Sequence, residues 1–148
     1  MDNDFRADAL IEFREISQRV VNLFSLYAKT EGLNYAAILV LEHLYRSEKV
    51  LTQKDICEKL GFPKQFVNSI IKSFWEQSYV NLKEAKDRRN KEIFLTDKGL
   101  EYAEKILIPL QEVDVKVWKC FTKEEISAFL KMMEEYEKSF NGLLKDLL

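Results

Sequence analysis

The sequence predicts a mainly α-helical fold with one small β-hairpin, and three observations support this prediction. The 148 residues include only four glycines and two prolines, the residues that most often interrupt helices. Apolar side chains recur every three or four residues over most of the chain, as on one face of an amphipathic helix. This spacing is lost between residues 79 and 95, where two short strands are expected. The length suffices for one domain with a sizeable core.

The first two helices are predicted from apolar spacing and from the residues that separate them. The apolar face of the first helix holds Phe13, Ile16, Val20, Leu23, Phe24 and Tyr27, and that of the second holds Ala37, Ile38, Leu41, Leu44 and Tyr45. The first helix extends from Ala9 to about Lys29, and Gly32 ends it. Asn34 suits the N-cap of the second helix, because its side chain can accept a hydrogen bond from the first turn.

Two short helices follow, separated by only a few residues. Thr52 and Asp55 resemble a capping box for a third helix, which ends before Gly61. Pro63 suits the first position of a fourth helix, which runs to about Gln77, because proline has no amide hydrogen to leave unpaired. The inward face of this helix holds Val67, Ile70, Ile71 and Phe74. Two helices joined by about three residues form a helix-turn-helix.

A hairpin and two long helices complete the chain. Apolar residues at 79–82 and 93–95 predict two strands joined by a charged turn. Thr96 caps the first long helix, and Thr122 with Glu125 forms a capping box for the second. The resulting order of three helices and a hairpin is that of a winged helix-turn-helix.

The long helices at both ends of the chain, over about residues 5–31 and 99–148, are amphipathic. The smaller lobe between them, over about residues 34–98, cannot cover all of their apolar faces. Such faces are usually buried in a partner, and a symmetric homodimer is the commonest solution. We therefore expect a single domain over residues 1–148, with a central winged lobe and N- and C-terminal dimerisation helices.

Several classes of function are disfavoured by the sequence. The longest apolar run, Ala36 to Leu41, is far shorter than the roughly 20 residues that span a bilayer. Asp2, Asp4 and Asp8 stand where a secretory signal would be positively charged, so a cytoplasmic protein with no membrane partner is expected. The chain has one histidine, no glycine-rich phosphate loop and no nucleophile elbow. We therefore expect no enzyme activity, no cofactor and no metal site.

The charge of the chain is distributed unevenly. The net charge of −2 at pH 7 alone argues against a nucleic-acid partner. Residues 52–98 nevertheless hold ten lysines and arginines against seven acidic residues, and the stretch from Lys83 to Lys91 holds five against two. The positive charge therefore lies in the helix-turn-helix and the hairpin.

The exposed face of the predicted fourth helix suits the DNA major groove. It offers hydrogen-bond donors and has no carboxylate before its end. Its residues are Lys64, Gln65, Asn68, Ser69, Lys72 and Ser73. Gln65 and Asn68 can each form paired hydrogen bonds with adenine edges, whereas the two lysines suit phosphates. A solvated polar helix face has a similar composition, so the hairpin is needed for the assignment.

The tip of the hairpin suits the DNA minor groove. Arginine is the side chain best matched to the negative potential of a narrow minor groove. Asp87 stands two residues before Arg89, where its carboxylate can hold the guanidinium in an extended rotamer. Lys86, Arg88 and Lys91 complete the basic tip. An ordinary charged β-turn is the alternative interpretation.

The segment from Asp87 to Gly99 reads DRRNKEIFLTDKG. It closely resembles the wing-and-helix signature of the MarR family of bacterial and archaeal transcriptional regulators, which has the pattern D-x-R, a strand, and then L-T-x-x-G. Upstream, the segment from Leu51 to Gly61 is similar to the third helix of that family. The order and lengths of the six predicted helices also match, so the resemblance covers nearly the whole chain.

The resemblance implies a homodimeric, ligand-responsive repressor that binds double-stranded DNA at a pseudo-palindromic operator. By the family pattern, Arg89 enters the minor groove, Asp87 orients it and Arg88 lies near the backbone, while the fourth helix reads the major groove. Pro63 and Ser78 depart from the pattern, which usually has a small polar cap and a glycine there. The family also implies a small amphipathic or phenolic effector, whose pocket the sequence leaves unknown.

The sequence is also compatible with two other functions. The net acidity is compatible with a DNA-inactive helical module that binds other proteins. Cys57 and Cys120 have no CxxC spacing, and both are expected to be buried as small apolar residues in a reducing compartment. A thiol-based redox sensor acting through Cys120 would instead require an exposed, reactive thiol.

Overall fold

The structure, a computed structural model, describes residues 2–87 and 89–148. Within these residues, six α-helices and three short strands follow one another along the chain. They are α1 (Asp2–Thr30), α2 (Tyr35–Arg46), β1 (Leu51–Thr52), α3 (Gln53–Leu60), α4 (Lys64–Glu76), β2 (Val80–Glu84), β3 (Lys91–Leu95), α5 (Asp97–Trp118) and α6 (Lys123–Leu144), with a 3₁₀ turn at Lys145–Leu147. The predicted mainly helical fold with a small β-hairpin is confirmed.

The chain divides into two compact units, Met1–Leu107 and Ile108–Leu148. The first unit contains the buried core, to which α2, α3, α4, the sheet and the start of α5 contribute. Its largest fully buried side chains include Phe74, Ile38, Leu41, Ile56 and Ile106. In the second unit, Trp118 packs near Phe129, with 6.1 Å between the ring centroids, but no residue of α6 is buried.

Local sequence patterns set the ends of several helices, as predicted. The side chain of Asn34 accepts a hydrogen bond from the Ala37 amide at 2.8 Å, which caps α2. The Asp55 carboxylate accepts a hydrogen bond from the Thr52 amide at 2.7 Å, and the Asp55 amide donates in return to the Thr52 hydroxyl. The Asp55 carboxylate also accepts a hydrogen bond from the Thr52 hydroxyl at 2.8 Å, and the bonds from the amide and the hydroxyl of Thr52 lower the pKa of Asp55. A reciprocal pair of the same kind between Thr122 and Glu125 caps α6.

Two helix boundaries differ from the prediction. The first helix begins at Asp2 rather than near Ala9, since acidic side chains near a helix N-terminus stabilise it even where apolar periodicity is weak. Pro63 is the N-cap of α4 and not its first helical residue. Its backbone is extended, with a ψ of 145°, and its carbonyl accepts hydrogen bonds from the amides of Phe66 and Val67.

The three strands form an antiparallel sheet in the order β1-β3-β2. The hairpin of β2 and β3 is the predicted one. Lys83 lies opposite Glu92 and Glu84 lies opposite Lys91, and such oppositely charged cross-strand pairs favour this register. The strand β1 was not predicted, because its two residues show no periodicity and pair only with the distant β3.

Candidate nucleic-acid interface

The helices α3 and α4 and the hairpin line an open groove of about 600 Å³ in the first unit. Five of the predicted DNA-binding residues line this groove: Lys64, Asn68, Lys72, Arg89 and Lys91. Lys54 of α3 adds another cation, and Glu58 is the only acidic residue among the described lining residues. Three separate elements therefore contribute to one basic concave surface.

The packing of α4 determines which of its residues face the groove and the solvent. Val67, Ile70, Ile71 and Phe74 are buried, as predicted, so the opposite polar face is exposed. Lys72 lies 3.9 Å from Glu76 in an exposed pair that is too weak to immobilise the lysine. The basic and amide side chains of α4 therefore remain accessible to a ligand.

The tip of the hairpin is held by hydrogen bonds that converge on one carboxylate. The amide of Ala85 donates to the carbonyl of Asn90 at 3.1 Å and closes the hairpin. Asp87 accepts hydrogen bonds from the amides of Arg89 at 3.2 Å and Asn90 at 3.1 Å, and from the Asn90 side chain at 2.9 Å. These bonds, chiefly those from Asn90, lower the pKa of Asp87.

The sequence predicts that the Asp87 carboxylate holds the guanidinium of Arg89. In the structure, the hydrogen bond between these two residues runs from the main-chain amide of Arg89 instead. A carboxylate two residues earlier in a tight turn is well placed for an amide, which explains this difference. Asp87 therefore shapes the backbone from which the Arg89 side chain projects.

The remaining predicted residues lie beside the groove. Gln65, Ser69 and Lys86 are exposed but do not line it. The Ser69 hydroxyl donates to the carbonyl of Phe66 at 2.8 Å, so its oxygen keeps its capacity to accept. Arg88, which is predicted to lie near the DNA backbone, is outside the described residues.

The lining residues that were not predicted from the sequence include Gln53, Lys54 and Trp75. The Gln53 side chain donates to the carbonyl of Lys64 at 2.9 Å and so ties α3 to the start of α4. Lys54 follows it in the first turn of α3, and Trp75 is 55% exposed in the last turn of α4. Trp75 could have been found from the sequence, because it is a large aromatic residue outside the apolar face of α4. The positions of Gln53 and Lys54 depend on how α3 packs, which the sequence pattern does not show.

The two cysteines occupy different environments. Cys57 is half-buried and lines the groove, whereas Cys120 is exposed just after the end of α5. The expected burial of Cys120 is therefore wrong for the single chain, because the turn between α5 and α6 leaves it uncovered.

Neither a metal-binding cluster nor a membrane-spanning helix occurs within residues 2–87 and 89–148. No three His, Cys, Asp or Glu side chains there are grouped so that they could hold a metal ion. None of the helices in these ranges is both long and apolar enough to cross a membrane.

Comparisons with known proteins agree with the arrangement of helices and sheet. A family model described as MarR family matches residues 31–90. The HTH-type transcriptional regulator SarZ of Staphylococcus aureus is 30% identical over 113 residues, which cover 76% of this chain and 73% of that protein.

Solved structures show the same fold. A MarR family regulator from Neisseria meningitidis has a TM-score of 0.83 at 26% identity, over 95% of this chain and 99% of that chain. The PcaV transcriptional regulator from Streptomyces coelicolor, solved with its natural ligand, shares the fold with a TM-score of 0.68 at 16% identity, over 83% of this chain and 89% of that chain. Together with the winged lobe and its signature segment, these similarities establish that the chain belongs to the MarR family of transcriptional regulators.

Proposed function

We propose that this protein is a sequence-specific regulator that binds double-stranded DNA with α4 and the tip of the hairpin. The observation that carries the proposal is the groove, in which cations from α3, α4 and the hairpin share one face of a chain with a net charge of −2. Neutralisation of phosphates supplies much of the affinity of proteins for DNA, and it requires such a local concentration of cations.

The helix α4 enters the major groove. Asn68 in the groove lining and the exposed Gln65 each present an amide that can form paired hydrogen bonds with adenine. Ser69 acts mainly as an acceptor, since its proton is donated to Phe66. Lys64 and Lys72 bind phosphates, and these contacts fix the register of the helix on the duplex.

The tip of the hairpin enters the adjacent minor groove. Arg89 is the inserted side chain, because a guanidinium suits the enhanced negative potential there. The hydrogen bonds between Asp87 and Asn90 fix the turn before DNA arrives, which reduces the entropy lost on binding. Lys86 and Lys91 contact the neighbouring backbone, as does Arg88 by the family pattern.

The active form is a homodimer on a pseudo-palindromic operator. The long helices expose apolar side chains, among them Leu23 of α1 at 66% and Met132 and Leu143 of α6 at 62% and 71%. A second copy of the chain removes such surfaces from water at a gain of about 25 cal/mol for each Å². The two copies of α4 then read half-sites about 34–36 Å apart, one turn of DNA.

The regulator acts as a repressor that releases DNA when a small amphipathic or phenolic effector binds. PcaV, which has the same fold, was solved with a natural ligand, and this supports an effector here. An effector that binds better to a form with a different separation of the two winged lobes shifts the population toward that form. Both half-sites then lose contacts at once, because the DNA spacing is fixed.

The substitution Arg89→Ala tests the assignment of the hairpin tip. We expect the dissociation constant for the preferred DNA site to rise by about tenfold or more, because a minor-groove cation is lost. The slope of log K against log salt should become shallower by about 0.9, one phosphate equivalent. The measurement is a fluorescence-anisotropy titration at several salt concentrations.

A matched control is Lys131→Ala, which removes an exposed cation of α6 that lies 3.9 Å from Glu135. This variant should retain both the DNA affinity and the salt slope of the unmodified protein. Light scattering should give the same mass for the unmodified protein, Arg89→Ala and Lys131→Ala. Equal affinity of Arg89→Ala and the unmodified protein would contradict the assignment of the wing.

A further inference from the structure

The start of α5, with Thr96 just before it, is attached to the three residues that follow α4 by hydrogen bonds between residues far apart in the chain. The Lys98 ammonium donates to the carbonyl of Gln77 at 2.9 Å. The Thr96 hydroxyl donates to the carbonyl of Ser78 at 2.6 Å, and the Thr96 amide donates to the carbonyl of Tyr79 at 3.0 Å. We call these five residues the α4–α5 clasp.

The clasp supplies a charge that α4 itself lacks. The last carbonyls of a helix carry partial negative charge, which a nearby cation stabilises. The last turn of α4 holds no basic residue and ends with Glu76, whose carboxylate is unfavourable there. Lys98 brings the missing cation from α5, and its ammonium also lies 5.2 Å from the ring centroid of Tyr79.

The polypeptide around the clasp is closely packed. The rings of Tyr79 and Tyr102 stack with 4.0 Å between centroids and 7° between planes. Ser78 has a φ of +63°, a left-handed conformation that costs a non-glycine residue energy and that the surrounding contacts maintain. A chain held in this way has few alternative arrangements, so the clasp fixes α4 relative to the start of α5.

The charge and exposure of Lys98 would by themselves suggest a contact with DNA. Lys98 does not line the groove, however, and its ammonium is directed to Gln77 and Tyr79. We propose that Lys98 is a positioning residue, which raises DNA affinity by holding the carboxyl end of α4 and contacts no phosphate. This inference rests on the proposed function, in which α4 is the helix that reads DNA.

The test compares Lys98→Met with Lys72→Met, which removes a lysine that does line the groove. We expect Lys98→Met to weaken binding to the preferred DNA site about three- to fivefold, the effect of losing one cation at a helix end. Its salt slope should stay at the unmodified value. Lys72→Met should also weaken binding, but with a slope shallower by about 0.9. Lys98→Arg, which keeps the donor and the charge, should restore affinity.

Hydrogen exchange gives a second readout that needs no DNA. The amides of Gln77, Ser78 and Tyr79 donate to carbonyls of the last turns of α4 and should exchange faster in Lys98→Met than in Lys72→Met. A shallower salt slope for Lys98→Met, or unchanged affinity and unchanged exchange, would overturn the positioning role. Absence of salt-dependent DNA binding by the unmodified protein would overturn the proposed function as well, whereas the other outcomes leave that function intact.

Discussion

Replacing Gly99 with alanine is expected to lower the free energy of unfolding by about 3 kcal/mol or more, at or above the upper end of the usual cost of overpacking. A Cβ atom at this position would overlap the carbonyl oxygen of Tyr79 and lie 2.8 Å from its carbonyl carbon. These are main-chain atoms, so a rotamer change cannot relieve the overlap. The start of α5 would have to move away from Tyr79, which lies three residues beyond the end of α4.

The measurement is urea unfolding followed by circular dichroism, with Gly142→Ala as the control. A Cβ at Gly142 in α6 meets no atom within 4 Å, so alanine there should raise stability by about 0.5–1 kcal/mol through helix propensity. An unfolding free energy for Gly99→Ala equal to that of the unmodified protein would contradict the close approach of α5 to Tyr79.

Introducing a charge on the apolar face of α6 is expected to dissociate the proposed homodimer. Leu130 and Leu143 are 50% and 71% exposed in the single chain, so aspartate at either position should leave the fold of the chain intact. In a dimer the same carboxylate would be buried without a partner at a cost of several kcal/mol for each copy. Symmetry doubles that cost, and we expect monomers at micromolar concentration.

Sedimentation equilibrium of Leu130→Asp and Leu143→Asp measures this effect. Asn141→Asp makes the same change of charge at an exposed polar position of α6 and should leave the mass unchanged. A dimer that persists in both leucine variants would show that α6 does not form the interface. A monomeric unmodified protein would contradict the homodimer itself.

Local features of the fold were predictable from the sequence, because each depends on neighbours in the chain. The caps at Asn34, Thr52 and Thr122 are examples, since each needs only a polar side chain three residues before an amide. The strand β1 was not predictable in this way, since it exists only by pairing with β3 some forty residues later. The error at Pro63 arose because proline is compatible with both the N-cap and the first helical position.

Residues of the candidate site were predictable where the pattern of a single helix determines their position. Lys64, Asn68 and Lys72 follow from the buried face of α4, which fixes the exposed one. Lys54 joins them only because α3 packs beside α4, and no pattern within α3 indicates this. Gly99 and Lys98 belong to the same category, because their roles depend on the contact between α5 and the end of α4.

Selection of bound fragments from random duplex DNA tests whether the basic groove reads a specific DNA sequence. We predict a consensus of two inverted half-sites whose centres lie about one helical turn, 10–10.5 base pairs, apart. Binding to that consensus should weaken steeply with salt, since several phosphate contacts are broken together. Recovery of no consensus, with only weak binding at low salt, would contradict sequence-specific DNA recognition. It would favour a helical module that binds other proteins.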